Sequence, residues 1–129
     1  MILPIALTTA GAAALINFWL SLRIATVRSA ENIWIGDGGN ERLTALMRAQ
    51  LNFAEYTPLV LILIALVEWA AGTRLWLEIV AAAFVVGRVC HGLGMDGWSP
   101  GRFIGMLFTA PVMIGLGLYA AVIPWLPGH

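Results

Sequence analysis

Four apolar windows, roughly residues 3 to 26, 43 to 71, 74 to 96 and 101 to 126, take up most of this 129-residue chain. A helix needs about 20 mostly apolar residues to cross the hydrocarbon core of a bilayer, and each window is long enough. Nothing is left over for a soluble domain. Composition agrees: 60% of residues are hydrophobic, 11% are charged and the mean hydropathy is +0.88, more apolar surface than a water-soluble core can hide. The expected fold is an all-α membrane protein, one domain over residues 1 to 129, built as a four-transmembrane-helix bundle. The formal net charge is zero and there is no lysine, so no general field favours nucleic acid, and none is expected as a partner.

The first arginine, Arg23, follows the first apolar run instead of preceding it, which marks that run as a retained span and not a cleaved leader. The single Cys90 lies within an apolar stretch; it has no partner for an intramolecular disulfide and reads as a buried, inert thiol. Between the first two spans, "VRSAENIWIGDGGNER" is the one sizeable loop, broken by Gly36, Gly38 and Gly39. At "AAGTR" Gly72 suits a helix C-cap and Thr73 an N-cap, and at "DGWSPGR" Ser99 suits an N-cap with Pro100 at the first helical position. Arg23, Arg28, Arg42, Arg48 and Arg102 flank the first and third loops, whereas only Arg74 flanks the second. The excess of positive charge predicts that the first and third loops are cytoplasmic and that both termini face the other side.

The segment "RAQLNFAEYTPL", residues 48 to 59, breaks the apolar pattern. At about 100° per residue, Arg48, Asn52, Glu55, Tyr56 and Leu59 fall on one helical stripe. A charged side chain at bilayer depth costs about 2.5 to 3.5 kcal/mol on insertion scales, so lipid is a poor neighbour for this stripe. An ion pair of Arg48 with Glu55 would account for part of it. In the third span Arg88 and His91 lie one turn apart with Met95 a further turn on. Antiparallel order then brings Arg23, Arg48, Arg88 and Arg102 to one level, with Asn52, Glu55 and His91 deeper. Arginine forks hold carboxylates and a buried glutamate suits an ammonium, so the group reads as a pocket for an anionic ligand that also carries a cation. Arg74, Glu78 and Glu68, near the opposite interface, read as structural. Pro58 and Pro111 should kink the second and fourth helices, and the small residues of "TTAGAAA" in the first permit close helix packing.

These residues carry a resemblance. "RAQLNFAEYTPL", with arginine, asparagine four residues on and then "EYxPL", resembles the second-helix signature of the membrane-associated proteins in eicosanoid and glutathione metabolism, the MAPEG family. "GRVCH" in the third helix, the arginine opening the fourth, the length and the four spans also fit, so the resemblance covers nearly the whole chain. It implies a homotrimer that holds glutathione, as co-substrate, between adjacent subunits near the cytoplasmic face. By position, Arg48, Asn52, Glu55 and Tyr56 would hold glutathione from the second helix, with Glu55 near its amino group. Arg88 and His91 would line the site, and Arg23 and Gln50 would reach in from the neighbouring protomer. Arg102 matches the arginine that stabilises the glutathione thiolate.

The resemblance implies a glutathione transferase or peroxidase acting on a lipophilic small molecule delivered through membrane lipid; no metal is expected. Met95 stands where some members carry a tyrosine, and Phe103 stands where the prostaglandin synthase has a hydroxyl-bearing residue. Two other readings remain: a noncatalytic lipid- or glutathione-binding protein, and a small multidrug exporter. The exporter reading predicts an acidic, arginine-poor pocket.

Overall fold

In the computed structural model, which describes residues 1–127, the four apolar windows form four helices, each long and apolar enough to cross a membrane. They are α1 (Pro4–Glu31), α2 (Glu41–Ala71), α3 (Leu75–Gly94) and α4 (Ser99–Val122), and the last is followed by a short 3-10 turn, Ile123–Trp125. Gly128 and His129, included in the expected domain, lie outside the described residues. The chain is an integral multi-pass membrane protein on this architecture, with α3, 20 residues long, spanning about 30 Å.

The helix ends refine the expected boundaries. Helix α1 runs five residues past its expected end, because the sequence through Glu31 lacks a breaker until Asn32 adopts a left-handed conformation (φ 54°) and its amide closes on the Arg28 carbonyl. Helix α2 starts two residues early, where the Asn40 side chain accepts a hydrogen bond from the Leu43 amide at 2.9 Å. Gly72 ends α2 as expected, at φ 76°. Two expected caps are corrected. Arg74, not Thr73, is the N-cap of α3, because the Thr73 hydroxyl is committed to Glu68 at 2.9 Å. Trp98, not Ser99, is the N-cap of α4, since the helix already includes Ser99 ahead of Pro100. Both α2 and α4 run unbroken through Pro58 and Pro111.

Buried side chains recur every three or four residues, as in Ile5, Thr9, Ala13, Ile16, Leu20, Ile24 and Val27 of α1, and this spacing presents one seam per helix. Helix α1 packs mainly on α2, α2 on α4 and α4 on α3, while α3 closes the ring on α1. The core falls into three stacked clusters. Ile5, Val60, Ile64, Leu77 and Phe84 fill one end, Leu20, Ala49 and Phe53 the middle, and Ile24, Val27, Leu43 and Leu46 the other end.

The closest approach is between α3 and α4. A methyl group on Gly105 would lie 2.6 Å from the Gly87 carbonyl oxygen and 2.7 Å from the His91 amide, and one on Gly94 would overlap the Arg102 backbone. Only hydrogen side chains permit this contact, the same means by which small residues bring membrane helices together. In the small-residue stretch of α1, Ala13 packs into the core with Ala49 and Phe53, whereas Gly11 has open space around it. At the far end Glu68, 1% exposed, accepts the Ile5 and Ala6 amides at 3.1 and 2.9 Å, satisfying the otherwise unpaired first turn of α1. Its structural reading stands, and its role is specific: it anchors α1 to α2.

Candidate functional site

Because α4 lies against α2 on one side and α3 on the other, the polar stripe of α2 faces side chains from both. Arg48, Asn52 and Glu55 of α2, His91 of α3 with Met95 just beyond it, and Arg102 and Met106 of α4 line one cavity of about 220 Å³, together with Leu51. The glycine seam is what makes this possible, since it sets His91 and Arg102 on helices whose backbones touch. Arg48 and Glu55 share the cavity without an ion pair, so among the described residues the internal pairing considered for them does not form.

Arg88 sits differently from its expected place. It is 1% exposed and packs behind the cavity wall, donating from Nη2 to Asn52 Oδ1 at 2.7 Å and from Nη1 to Thr109 Oγ1 at 3.1 Å, with His91 Nδ1 at 3.4 Å. Its ion pairs are absent among the described residues, and its guanidinium lies 5.9 Å from the Phe53 ring. Arg88 therefore orients two lining residues and adds positive charge at depth, while the lining itself is formed by others. Thr109, whose hydroxyl accepts from Arg88 and donates to the Gly105 carbonyl at 2.7 Å, is a supporting residue that sequence reading missed.

Tyr56 is half-buried and outside the lining. Gln50 points away from Arg48, as its angle on the helix requires, but it donates to Ser21 Oγ of its own α1 at 2.6 Å. Arg23 also has partners within the chain: it stacks on Trp19 at 4.6 Å, donates to the Gly92 carbonyl at 2.9 Å and pairs with Asp96 at 2.9 Å. In this chain both residues are thus held by intramolecular partners. Cys90, expected to be buried, is half-buried.

The net balance of the cavity is positive. Two guanidiniums and one carboxylate line it, and a third guanidinium lies behind. A profile of the MAPEG family matches residues 6–122, nearly the whole chain. The chain belongs to the MAPEG family. No curated protein matches it as a relative. MAPEG membership agrees with the four spans, and the match extends across all the residues that form the cavity. Asp96 is the one acidic residue in the α3–α4 connection. Sequence reading did not single it out; the available signal was an acid between His91 and Arg102, and its partners, which come from α1 and α2, are identified only by the fold.

Proposed function

We propose that this MAPEG protein binds glutathione in the α2–α4 cavity and activates its thiol for attack on lipophilic electrophiles or lipid hydroperoxides, as a membrane-bound transferase with peroxidase capacity. The observation that carries this reading is the convergence of Arg48, Arg102, Glu55, Asn52 and His91 on one cavity. Glutathione carries two carboxylates, one ammonium and a thiol. Arginines match the carboxylates and the thiolate, and Glu55 matches the ammonium. Arg48 and Asn52 hold the ligand from α2, and His91, oriented by Arg88, meets it from α3. Arg102 sits beside the sulfur. A free thiol has a pKa of about 8.5, and an adjacent guanidinium lowers it by favouring the charged form, about 1.4 kcal/mol for each unit. The thiolate then bonds to carbon, expelling the electrophile's leaving group or adding to an activated double bond that takes up a proton. With a hydroperoxide it attacks the terminal oxygen, breaking the O–O bond to give the alcohol after protonation and a sulfenic acid that a second glutathione converts to disulfide and water.

One chain supplies about 220 Å³, below the roughly 300 Å³ at which small-molecule pockets begin. A second copy covering the open side would complete it, and the homotrimer that the family resemblance implies would supply one. The arginines in the helix ends that flank the α1–α2 and α3–α4 connections support placing that end in the cytoplasm, where water-soluble glutathione is available.

The test is a glutathione titration of detergent-purified protein. Ligand at about 100 times its Kd should stabilise the native state by about 2.7 kcal/mol and raise the thermal midpoint; an unchanged midpoint defeats the assignment. Arg102→Ala should slow conjugation of a model electrophile while glutathione still protects. A noncatalytic reading rests on one observation, the lack of a hydroxyl in the cavity lining, where Met95 and Met106 stand beside Arg102. On that reading glutathione protects the protein and no conjugate forms.

A further inference from the structure

A second cavity of about 470 Å³ lies at the loop end of the first, lined by Glu41, Arg42, Met95, Asp96 and Gly97. Met95 lines both the outer depression and the first cavity. Across this outer depression Arg42 grips Asp96 with two bonds, Nε to Oδ1 at 2.9 Å and Nη2 to Oδ2 at 3.2 Å. Asp96 also takes Arg23 at 2.9 Å, so one carboxylate ties α1 and α2 to the α3–α4 connection.

The two arginines are unequal. The Arg23 side chain is 14% exposed and is further held by the Gly92 carbonyl and the Trp19 ring, whereas the Arg42 side chain is 64% exposed. An ion pair that exposed adds little net stability, so Arg42 can leave at small cost while Arg23 keeps the Asp96 charge compensated. A free carboxylate arriving from water offers Arg42 the same fork that Asp96 does.

Resting on the glutathione reading above, we infer that Arg42 and Asp96 form an exchangeable latch over the cavity: a ligand carboxylate displaces Asp96 from Arg42 and is passed inward beside Met95. Arg42 is the docking residue. Asp96 competes with the ligand for it and sets how readily the mouth opens.

The two partners then have opposite effects on ligand capture. Arg42→Ala removes the docking cation, and Asp96→Asn frees it and removes a repelling carboxylate. Arg42→Ala loses one ion pair and Asp96→Asn loses that pair and the one to Arg23, so a purely structural role would move both in one direction, Asp96→Asn further. Association of radiolabelled glutathione with the purified full-length protein, followed by rapid filtration, reads the difference. At low salt Arg42→Ala should associate roughly three to ten times more slowly than wild type and Asp96→Asn faster, with Arg42→Lys close to wild type. Near 1 M salt, where screening acts within about 3 Å, the differences should shrink. Wild-type protein that binds no glutathione overturns the functional reading and the latch together. Wild type that binds, with both variants shifted in the same direction or neither shifted, overturns the latch alone.

Discussion

Replacing Gly105 by alanine puts a methyl group 2.6 Å from the Gly87 carbonyl oxygen and 2.5 Å from His91 Cβ, where ordinary contact begins at 3.4 Å. Relief requires α4 to move from α3 by about 0.9 Å, the difference between 3.4 Å and the 2.5 Å separation at His91 Cβ. Both neighbours are parts of a helix, so no flexible side-chain end can yield. Overpacking of this kind costs about 1 to 3 kcal/mol. The same movement carries Arg102 away from His91, and a displacement of about 1 Å at a reacting centre can cost about 100-fold in rate. Gly115→Ala, on the same helix with nothing within 4 Å, is the control; there alanine should be neutral or stabilising, because it favours helix by up to about 1 kcal/mol. Thermal unfolding in detergent, with and without glutathione, measures the stability cost and the effect on binding, and conjugation of a model electrophile measures the rate. Gly105→Ala should lower the midpoint and shrink the glutathione-dependent rise, and Gly115→Ala should do neither. A Gly105→Ala protein with a wild-type midpoint and a wild-type glutathione response would refute the argument that the glycine seam builds the site.

Glu68→Ala should destabilise by about 1 to 3 kcal/mol for the buried Ile5 amide that loses its acceptor, and by less for the part-buried Ala6 amide; Glu68→Gln should cost less, and faster hydrogen exchange at Ile5 and Ala6 would locate the damage. Asn40→Ala removes the cap on the Leu43 amide and should cost about 1 kcal/mol, read by denaturant titration in mixed micelles. Asp96 is held below the ordinary carboxyl value of 3.8, chiefly by its hydrogen bonds from Arg42 and then from Arg23. It therefore contributes stability that is present above that value and lost as pH falls through its lower folded value. Wild type should lose midpoint on acidification below about pH 4, and Asp96→Asn should lack that component.

The four spans, their limits to within a few residues and the polar stripe of α2 were legible in the sequence. Hydropathy over about 20 residues is a local property, and a helix places residues three or four apart on one face whatever its neighbours. The spacing of Arg48, Asn52 and Glu55, with His91 and Arg102 on other helices, was enough to name most of the cavity lining. The pairing of each charge was not legible. Asp96 meets Arg23 and Arg42 from 73 and 54 residues away, Gln50 turns to Ser21 of its own chain, and Arg88 withdraws behind Asn52. Sequence could place an arginine at a level of the bundle; only the helix contacts decide whether its guanidinium finds a carboxylate, a carbonyl or an open cavity. Gly101 and Gly105 were visible as small residues four apart, yet their meaning depended on which helix they met. Helical periodicity is set by the backbone within one segment, whereas polar pairing is set by how closely segments approach, and here that approach was decided by glycines that let α3 and α4 touch.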